Sequence, residues 1–420
     1  MFDQLQPTLD DDRAPVDAAT RLRTRGRRIL IGTDTYPPDV NGAGYFTYRL
    51  ATGLVRRGHD VHVVAVSDTG KPYTHVVDGV TVHRLGSISA MVYPNQRIVI
   101  PGGTASAVAR IFGRVGPDVV HLQSHFMVGR ACLRVAKRRG LPVMATNHFM
   151  PEPLLHHVPV PQKLRDWAAA WAWRDAARVF SRTDYVSTPT RRAAEHFTAR
   201  GFTGPIDAIS CGIDLSRFQP REGDAASARA HFGLADRKTV VFVGRLDQEK
   251  RIDQLVRAMP ALRRAQDAQL VVAGVGPYRD RLERLAADLG ISAYVRFLGF
   301  VSEEDLPRVY HTGDVFAIAS VAELQSIVTL EAMASGLPVV GADAVALPHL
   351  IKDGQNGYLF APGDVAGISA RLNLVLSSPQ DLAAMGAMSR KLADEHEHGR
   401  SLARFEEVYE RLIADEGSRS

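Results

Sequence analysis

The run Val315-Phe316-Ala317-Ile318-Ala319-Ser320-Val321-Ala322-Glu323-Leu324-Gln325-Ser326-Ile327-Val328-Thr329-Leu330-Glu331-Ala332-Met333-Ala334-Ser335-Gly336-Leu337-Pro338-Val339-Val340 decides the fold class. It opens on an uninterrupted apolar tetrad, the pattern of a strand covered on both faces. A helical stretch follows and is stopped by Gly336 and Pro338, one tolerant of left-handed backbone and the other unable to continue a helix. Val339 and Val340 then begin another strand. Strand, helix and strand in so short a compass make a parallel crossover unit, the building block of doubly wound α/β sheets.

Outward from this unit the alternation repeats. Thr239–Val243, Leu270–Val272 and Val295–Phe297 read as strands of the same sheet, with Ala208-Ile209-Ser210 expected as its first. An earlier series runs Ile29–Ile31, Val61–Ala65, Val119–Leu122, Val143–Ala145 and Tyr185–Ser187. Two such series imply two doubly wound domains, expected over residues 28–205 and 206–395 and meeting near Gly204-Pro205. Residues 1–27 are polar and aperiodic and read as a disordered leader. A last helix, Ser401 to about Ala414 within 396–420, follows the second series; periodicity allows it to cross back to the first domain without requiring it. Ligands of such sheets bind beyond the carboxyl ends of the strands, so two facing domains make one cleft.

The composition agrees. A chain of 420 residues suits two cores, and 45% hydrophobic with 23% charged residues is the balance of a globular protein. The two cysteines, Cys132 and Cys211, offer neither a disulfide framework nor metal-ligand spacing, which points to the reducing cytoplasm. No apolar run reaches the roughly 18 residues of a membrane span, and the first residues lack the apolar core of a signal peptide. The net charge of +5 is concentrated at Arg21, Arg23, Arg25, Arg27 and Arg28, at Lys137-Arg138-Arg139 and at Arg191-Arg192. These clusters read as solvated ends, with an anionic membrane surface, and hence the inner membrane face, as the alternative. No nucleic-acid recognition motif accompanies the charge.

Candidate chemistry sits at strand ends. Val241-Phe242-Val243-Gly244 ends a strand, and Arg245 and Lys250 follow at once, a forked donor and a point charge suited to a diphosphate; two solvated cations are the plain alternative. Glu323 is expected at the mouth of the next helix and Glu331 about two turns further on, between Leu330 and Met333. A carboxylate in that apolar setting needs a partner, either ribose hydroxyls or an unseen Arg. In the first series the loop Tyr36-Pro37-Pro38-Asp39-Val40-Asn41-Gly42-Ala43-Gly44 follows the first strand, and Thr146-Asn147-His148-Phe149 follows the strand at Val143. His121, His125, His156 and His157 have no comparable placement. Trp167, Trp171 and Trp173 share one helix with Arg165, Arg174 and Arg178; Trp167 and Trp171, four apart, are expected to pack inward, with a membrane interface as the alternative.

Glu323, seven intervening residues, Glu331 and then Ala332-Met333-Ala334-Ser335-Gly336-Leu337-Pro338-Val339-Val340 resemble the signature of glycosyltransferase family 4. The likeness extends in order to Gly244-Arg245-Leu246 with Lys250, Ala273-Gly274-Val275-Gly276-Pro277, Phe297-Leu298-Gly299-Phe300 and Gly354-Gln355-Asn356-Gly357-Tyr358-Leu359. The resemblance implies an α/β GT-B fold, two facing Rossmann-like domains about a cleft. It also implies a retaining hexosyltransferase with a nucleotide-diphosphate sugar, of UDP-glucose or GDP-mannose type, as co-substrate and neither metal nor other cofactor. Glu323 would bind the hydroxyls of the transferred sugar and Glu331 the ribose. Amides near Gln325, Ser326 and Ile327 would touch sugar and phosphate, and Arg245 and Lys250 would clamp the diphosphate. Main-chain groups at Phe300 and Val301 would hold the base, and Gly42 and Gly44, here separated by Ala43, would bring amides to the phosphate. His148 would face the reacting sugar. Gly274-Val275-Gly276 lacks the third glycine of a dinucleotide fingerprint.

Met150-Pro151-Glu152-Pro153 and Glu323-Leu324-Gln325 are similar to segments of the subgroup that glucosylates diacylglycerol, although Pro153 stands where that subgroup has Asn. The resemblance therefore implies a hydroxyl acceptor, with a membrane lipid as one reading and a soluble cyclitol, sugar phosphate or natural product as another. A nucleotide-sugar epimerase and an inactive sugar-binding relative are the readings outside transfer.

Overall fold

The structure, a computed structural model, describes residues 26–39, 41–89, 97–100, 102–151, 161–220, 223 and 225–418. The leader up to residue 25, the Glu152-Pro153 reading, His156 and His157 lie outside these.

The first sheet is built from β1 (Arg28–Gly32), β2 (Asp60–Val66), β3 (Tyr73–Val77), β4 (Val80–Leu85), β7 (Val119–Leu122), β8 (Val143–Thr146), β9 (Tyr185–Thr188) and β10 (Asp207–Ala208). Its order is β10-β9-β8-β7-β1-β2-β4-β3, parallel except for the antiparallel pair β3–β4. The short β5 (Ser87–Ser89) and β6 (Arg97–Val99) pair only with each other. The second sheet comprises β11 (Lys238–Val243), β12 (Ala268–Ala273), β13 (Val295–Gly299), β14 (Val315–Ile318), β15 (Val339–Ala342) and β16 (Gly357–Phe360), ordered β13-β12-β11-β14-β15-β16 and parallel throughout. This is the doubly wound Rossmann order. The apolar runs are buried: every residue of β7, β8, β14 and β15 is out of contact with solvent.

Two expectations are corrected here. The stretch from Ala208 does not open the second sheet; Asp207 and Ala208 pair with Ser187 and Thr188 and form the edge of the first. A two-residue ladder suffices for an edge strand, and the centre of the second sheet is taken by β11. Trp167 and Trp171 do not pack inward. On the helix Gln162–Phe180 they are 66% and 55% exposed, whereas Trp173 is buried against Phe149 and Phe197. Two positions along a helix turn the side chain by about 200°, so Trp173 and Trp171 cannot share a face.

The chain passes between the domains twice, and the two passages are bonded to each other. Ile213 donates to the carbonyl of His396 at 2.7 Å and accepts from the amide of His398 at 2.9 Å. Beyond them the helix His398–Gly417 lies on the first domain, where Leu402, Phe405, Val408, Tyr409 and Leu412 join one buried cluster with Ile29, Ile31, Phe46 and Leu50. Burying these side chains is worth on the order of 10 kcal/mol before ordering entropy is set against it. Arg27–Glu410 and Arg57–Glu406 ion pairs, each 2.6 Å, border the contact.

Gly53 makes the approach possible. A Cβ there would lie 2.7 Å from Leu402 Cδ1 and 2.9 Å from His398 Nε2. Gly53→Ala is therefore expected to lower stability by about 1–2 kcal/mol in chemical denaturation, against the sign that helix propensity alone would give.

Candidate functional site

The crevices of both sheets open where the strand order reverses, beside β1 in the first and β11 in the second. On the first side Asp34, just past β1, is half-buried and accepts from Ser124 and from the amides of Val128 and Gly129, tying the loop after β1 to the start of the helix Met127–Arg138. Burial raises its pKa, and those hydrogen bonds oppose the rise. Asn41 then caps the helix Gly42–Arg56, its side chain accepting from the Gly44 amide at 2.8 Å. The Gly44 N–H is thus spent on the cap, while those of Gly42 and Ala43 have no acceptor among the described residues. A Cβ added at Gly42 would meet nothing within 4 Å, so the space beside it is open.

On the second side, β11 is followed at once by Gly244 (φ +151°), which lies so close to Gly274 (φ +142°) that a Cβ on Gly274 would sit 1.9 Å from the Gly244 carbonyl oxygen. The Gly274-Val275-Gly276 stretch is thereby explained by close loop packing: Leu246 donates to Val275 and accepts from Tyr278, both at 3.0 Å. Arg245 projects half-exposed, steadied by Glu249 at 2.8 Å and Asp247 at 3.4 Å. Lys250 lies not in the following helix but in a single 3-10 turn, Gln248–Lys250, ahead of it. Its Nζ reaches Glu323 Oε1 at 2.6 Å, so residues 73 positions apart meet as an ion pair with little solvent access.

The helix carrying Glu331 spans Ile327–Ala334, shorter than its sequence pattern implied, and Glu323 stands in the loop before it rather than at its mouth. Ser326 adopts φ +66°, a left-handed conformation that non-glycine residues rarely take, and this turn aims the first helical amides. The N–H groups of Ile327 and Val328 have no acceptor among the described residues, as the first turn of a helix requires of its own chain. The Ile327 side chain packs on the cluster of the first domain. Gln325 turns its side chain away from the crevice: it accepts from the Cys211 amide at 2.7 Å and donates to Ser210 Oγ at 2.6 Å, gripping the passage between domains. Glu331 is 5% exposed and its hydrogen-bond partner is Tyr310, whose hydroxyl donates at 2.6 Å; among the described residues no Arg forms an ion pair with it, Arg49 and Arg217 acting on it only through space. Burial pushes Glu331 up to about 7, the Tyr310 hydrogen bond opposing it.

Phe300, just past β13, is 79% exposed, and Val301 beside it is half-buried. Two residues on, Glu303 accepts from the Tyr45 hydroxyl at 3.2 Å across the cleft and pairs with Arg217 at 2.6 Å. A second link runs from Thr190 Oγ1 to the Leu324 carbonyl at 2.9 Å. His148, past the end of β8, is half-buried against Phe46 at 4.7 Å, with Nε2 2.9 Å from Gln123 Oε1. Burial lowers its pKa to about 4, so the ring is neutral near pH 7. His121 does have a placement of consequence: it lies within a hydrogen-bonded chain that reaches His148 through Gln123. Sequence reasoning missed Tyr45, Gln123, Tyr310 and Tyr409; the single visible signal was a polar His inside the apolar run Val119-Val120-His121-Leu122.

Residues 226–392 match the family described as glycosyl transferases group 1, and residues 40–217 match glycosyltransferase family 4. Among curated relatives, the GDP-mannose-dependent alpha-(1-6)-phosphatidylinositol monomannoside mannosyltransferase of Mycolicibacterium smegmatis is 35% identical over 87% of this chain and 93% of its own length. The alpha-monoglucosyldiacylglycerol synthase of Streptococcus pneumoniae is 27% identical over 84% of this chain and 79% of its own. Among solved structures, Anabaena Alr3699/HepE in complex with UDP superposes with a TM-score of 0.74 at 18% identity, covering 92% of this chain and all of that one.

The buried Glu331 makes a measurable prediction. Its pKa is raised on folding from 4.5 to about 7, so the folded protein holds a proton that the unfolded chain releases between those values. Stability from this group is present below about 4.5 and is lost as pH rises toward 7, by up to about 1.4 kcal/mol per unit. Glu331→Gln, which keeps the Tyr310 acceptor, is expected to flatten the pH dependence of the denaturation midpoint over that window.

Proposed function

The chain belongs to the group 1 glycosyltransferases of family 4, and from that membership we propose that it transfers a hexose from a UDP- or GDP-hexose, with retention at the anomeric carbon, to a hydroxyl of a membrane lipid. The observation that carries the reading is the Lys250–Glu323 pair at 2.6 Å, beside Arg245 and the unspent amides of Ile327 and Val328. A cation, a carboxylate and helix-start N–H groups in one crevice match the needs of a sugar diphosphate: charge for the phosphates and an acceptor for sugar hydroxyls. Lys250 and Glu323 satisfy each other in the structure; in this reading the donor's phosphates take up Lys250 and its sugar hydroxyls take up Glu323.

In this reading the bond between the anomeric carbon and the diphosphate oxygen breaks, and its electron pair leaves with the diphosphate toward Arg245 and Lys250. The acceptor oxygen bonds to the same face of the sugar and its proton passes to the departing diphosphate. The protein supplies positioning and electrostatic stabilisation, which is enough to accelerate such a transfer without a protein nucleophile. Glu323 holds the hydroxyls of the moving sugar, Glu331 and Tyr310 take the ribose, the exposed Phe300 ring and Val301 flank the base, and the Gly42 and Ala43 amides approach the phosphate from the first domain. His148 faces the sugar. The site works without a bound metal.

The lipid acceptor is supported by the exposed Leu164, Trp167 and Trp171, spaced three and four apart on a helix that also presents Lys163, Arg174 and Arg178. Apolar rings in a basic setting suit the headgroup boundary of an anionic bilayer. No described helix is long and apolar enough to cross a membrane; in this reading the contact is peripheral, at an anionic inner-membrane surface. Two relatives are named for glycolipid products or acceptors, which agrees with this choice.

Thermal stabilisation by UDP and by GDP, each measured with EDTA, tests the donor site: one nucleotide should raise the melting temperature and the shift should survive chelation, whereas no shift with either would refute the reading. Glu323→Gln should retain the shift while lowering sugar transfer about 100-fold or more. Co-sedimentation with phosphatidylglycerol vesicles tests the surface: Trp167→Ala combined with Trp171→Ala should abolish binding while leaving the nucleotide shift unchanged.

A further inference from the structure

An antiparallel ribbon at the surface of a domain ordinarily turns an apolar face inward and a polar face to water. The ribbon β5–β6 departs from this. Ile88 stands directly opposite Ile98, so the two share a face. Ile100, two positions further on and bonded through its amide to the Gly86 carbonyl, continues that face. The three isoleucines are 46%, 44% and 47% exposed. The other face is apolar as well, for Ser87 and Val99, the next opposed pair, are both buried. Arg97, the one charge among the described residues of the ribbon, alternates onto that inner face, where it is bound to Ser87 and Ser89.

The outer isoleucines belong to a wider pattern. β1, β2, β4, β7 and β8 are parallel, so their carboxyl ends share one rim, the rim that bounds the cleft. Among the described residues of the first domain, every exposed large apolar side chain except Val76 lies on a segment that leaves this rim. The ribbon follows β4, Phe126 and Met127 follow β7, and the helix bearing Leu164, Trp167 and Trp171 follows β8. The three segments also lie on the same side of the sheet, because Val99, Val128 and Trp173, each next to exposed members in sequence, meet in one buried cluster. Positive charge accompanies them: Lys163 is exposed, and so is Lys71, whose neighbour Gly70 accepts from the Ser87 amide at the base of the ribbon.

Whatever covers this surface has to be continuous over separate elements. Three isoleucines on a two-stranded ribbon fall short of the roughly 800 Å² per partner that a specific protein interface takes. A bilayer needs no matching shape, since the burial of apolar side chains is non-directional. Aromatic rings with basic residues alongside suit the boundary between anionic headgroups and acyl chains.

We propose that the β5–β6 ribbon is a second membrane contact, in which Ile88, Ile98 and Ile100 enter the acyl boundary of an anionic bilayer beside the Trp167 and Trp171 surface. The first domain is then seated with the carboxyl-end rim of its sheet on the lipid, and the cleft opens at that surface. A lipid acceptor thereby presents its hydroxyl without leaving the bilayer. This rests on the reading that the acceptor is a membrane lipid.

The test places an environment-sensitive fluorophore on the ribbon of the full chain. Cys132 and Cys211 are buried, so Ile98→Cys supplies the accessible thiol. With dioleoylphosphatidylglycerol vesicles the label at position 98 should shift to shorter wavelength and be quenched by spin-labelled acyl chains. The same label on Val76→Cys, a position 67% exposed beside the amino end of β4, should stay in water. Ile88→Thr, Ile98→Thr and Ile100→Thr combined should lower vesicle binding roughly tenfold and leave the nucleotide-induced melting shift unchanged. A label at position 98 that stays in water on vesicle-bound protein, or one that responds no more than the label at position 76, overturns the proposal. So does a shift at position 98 that rises with protein concentration in the absence of vesicles, the mark of a second copy covering the face. Should the triple variant fail to fold, the two single-site labels decide. If the unsubstituted protein binds no vesicles, the lipid reading falls and this inference with it. If it binds, and the combined Trp167→Ala and Trp171→Ala variant does not, while the label at position 98 stays in water, only this inference falls.

Discussion

The whole arrangement depends on a junction of three residues, Ile213, His396 and His398. Ile213 on the outward passage and His396 to His398 on the return are joined by a pair of backbone hydrogen bonds, so the domains are tied by two strands of chain fastened to each other rather than by one loose linker. The return passage is fixed in turn because the C-terminal helix buries Phe405, Val408 and Tyr409 in the first domain. Gln325, from the loop that carries Glu323, grips Ser210 and Cys211 at the same junction. Any rotation of one domain on the other must work through this small region, which is where hinges concentrate: a few positions absorbing the change while packed elements move as bodies.

The charges at the cleft follow a common rule. Each is compensated from within the chain: Lys250 by Glu323, Arg217 by Glu303, Glu331 by the Tyr310 hydroxyl, Asp34 by Ser124 and two amides. A buried charge left alone is expensive, and a partly shielded one in a cleft is hardly less so. The compensating partners are nevertheless weak enough to be exchanged, since Lys250 and Glu323 offer single hydrogen bonds to each other rather than a bidentate fork. Glu331 is the exception. Enclosed with Tyr310, its carboxyl titrates near neutrality, so what it offers a ligand changes between donor and acceptor within the physiological range.

The fold was largely legible from the chain. Buried parallel strands announce themselves as short apolar runs, and β7, β8, β9, β11, β12, β14 and β15 lie where such runs occur. What escaped has a physical cause. β3 and β4 form a hairpin at the edge of the first sheet, where β3 alternates exposed and partly buried residues with His and Thr among them, a pattern shared with loops. β10 is two residues long and owes its existence to a neighbour, not to its own composition. Trp167 and Trp171 were misjudged because spacing shows that they share a face but not whether anything covers it.

By itself the sequence determined the class of the fold, the strands of both sheets that are buried on two faces, and the identity of the motif residues Arg245, Lys250, Glu323, Glu331 and His148. Those properties are local, encoded in runs of a few residues whose hydrophobicity and backbone freedom speak for themselves. The tertiary structure alone decided that Lys250 and Glu323 are partners, that Tyr310 and not an Arg answers Glu331, that Gln325 serves the passage between domains, and that Tyr409 stands two hydrogen bonds behind Gln123. Each of these joins residues tens to hundreds of positions apart. Hydrogen bonds and ion pairs act over a few ångströms, and only the folded backbone sets which distant residues come within that reach.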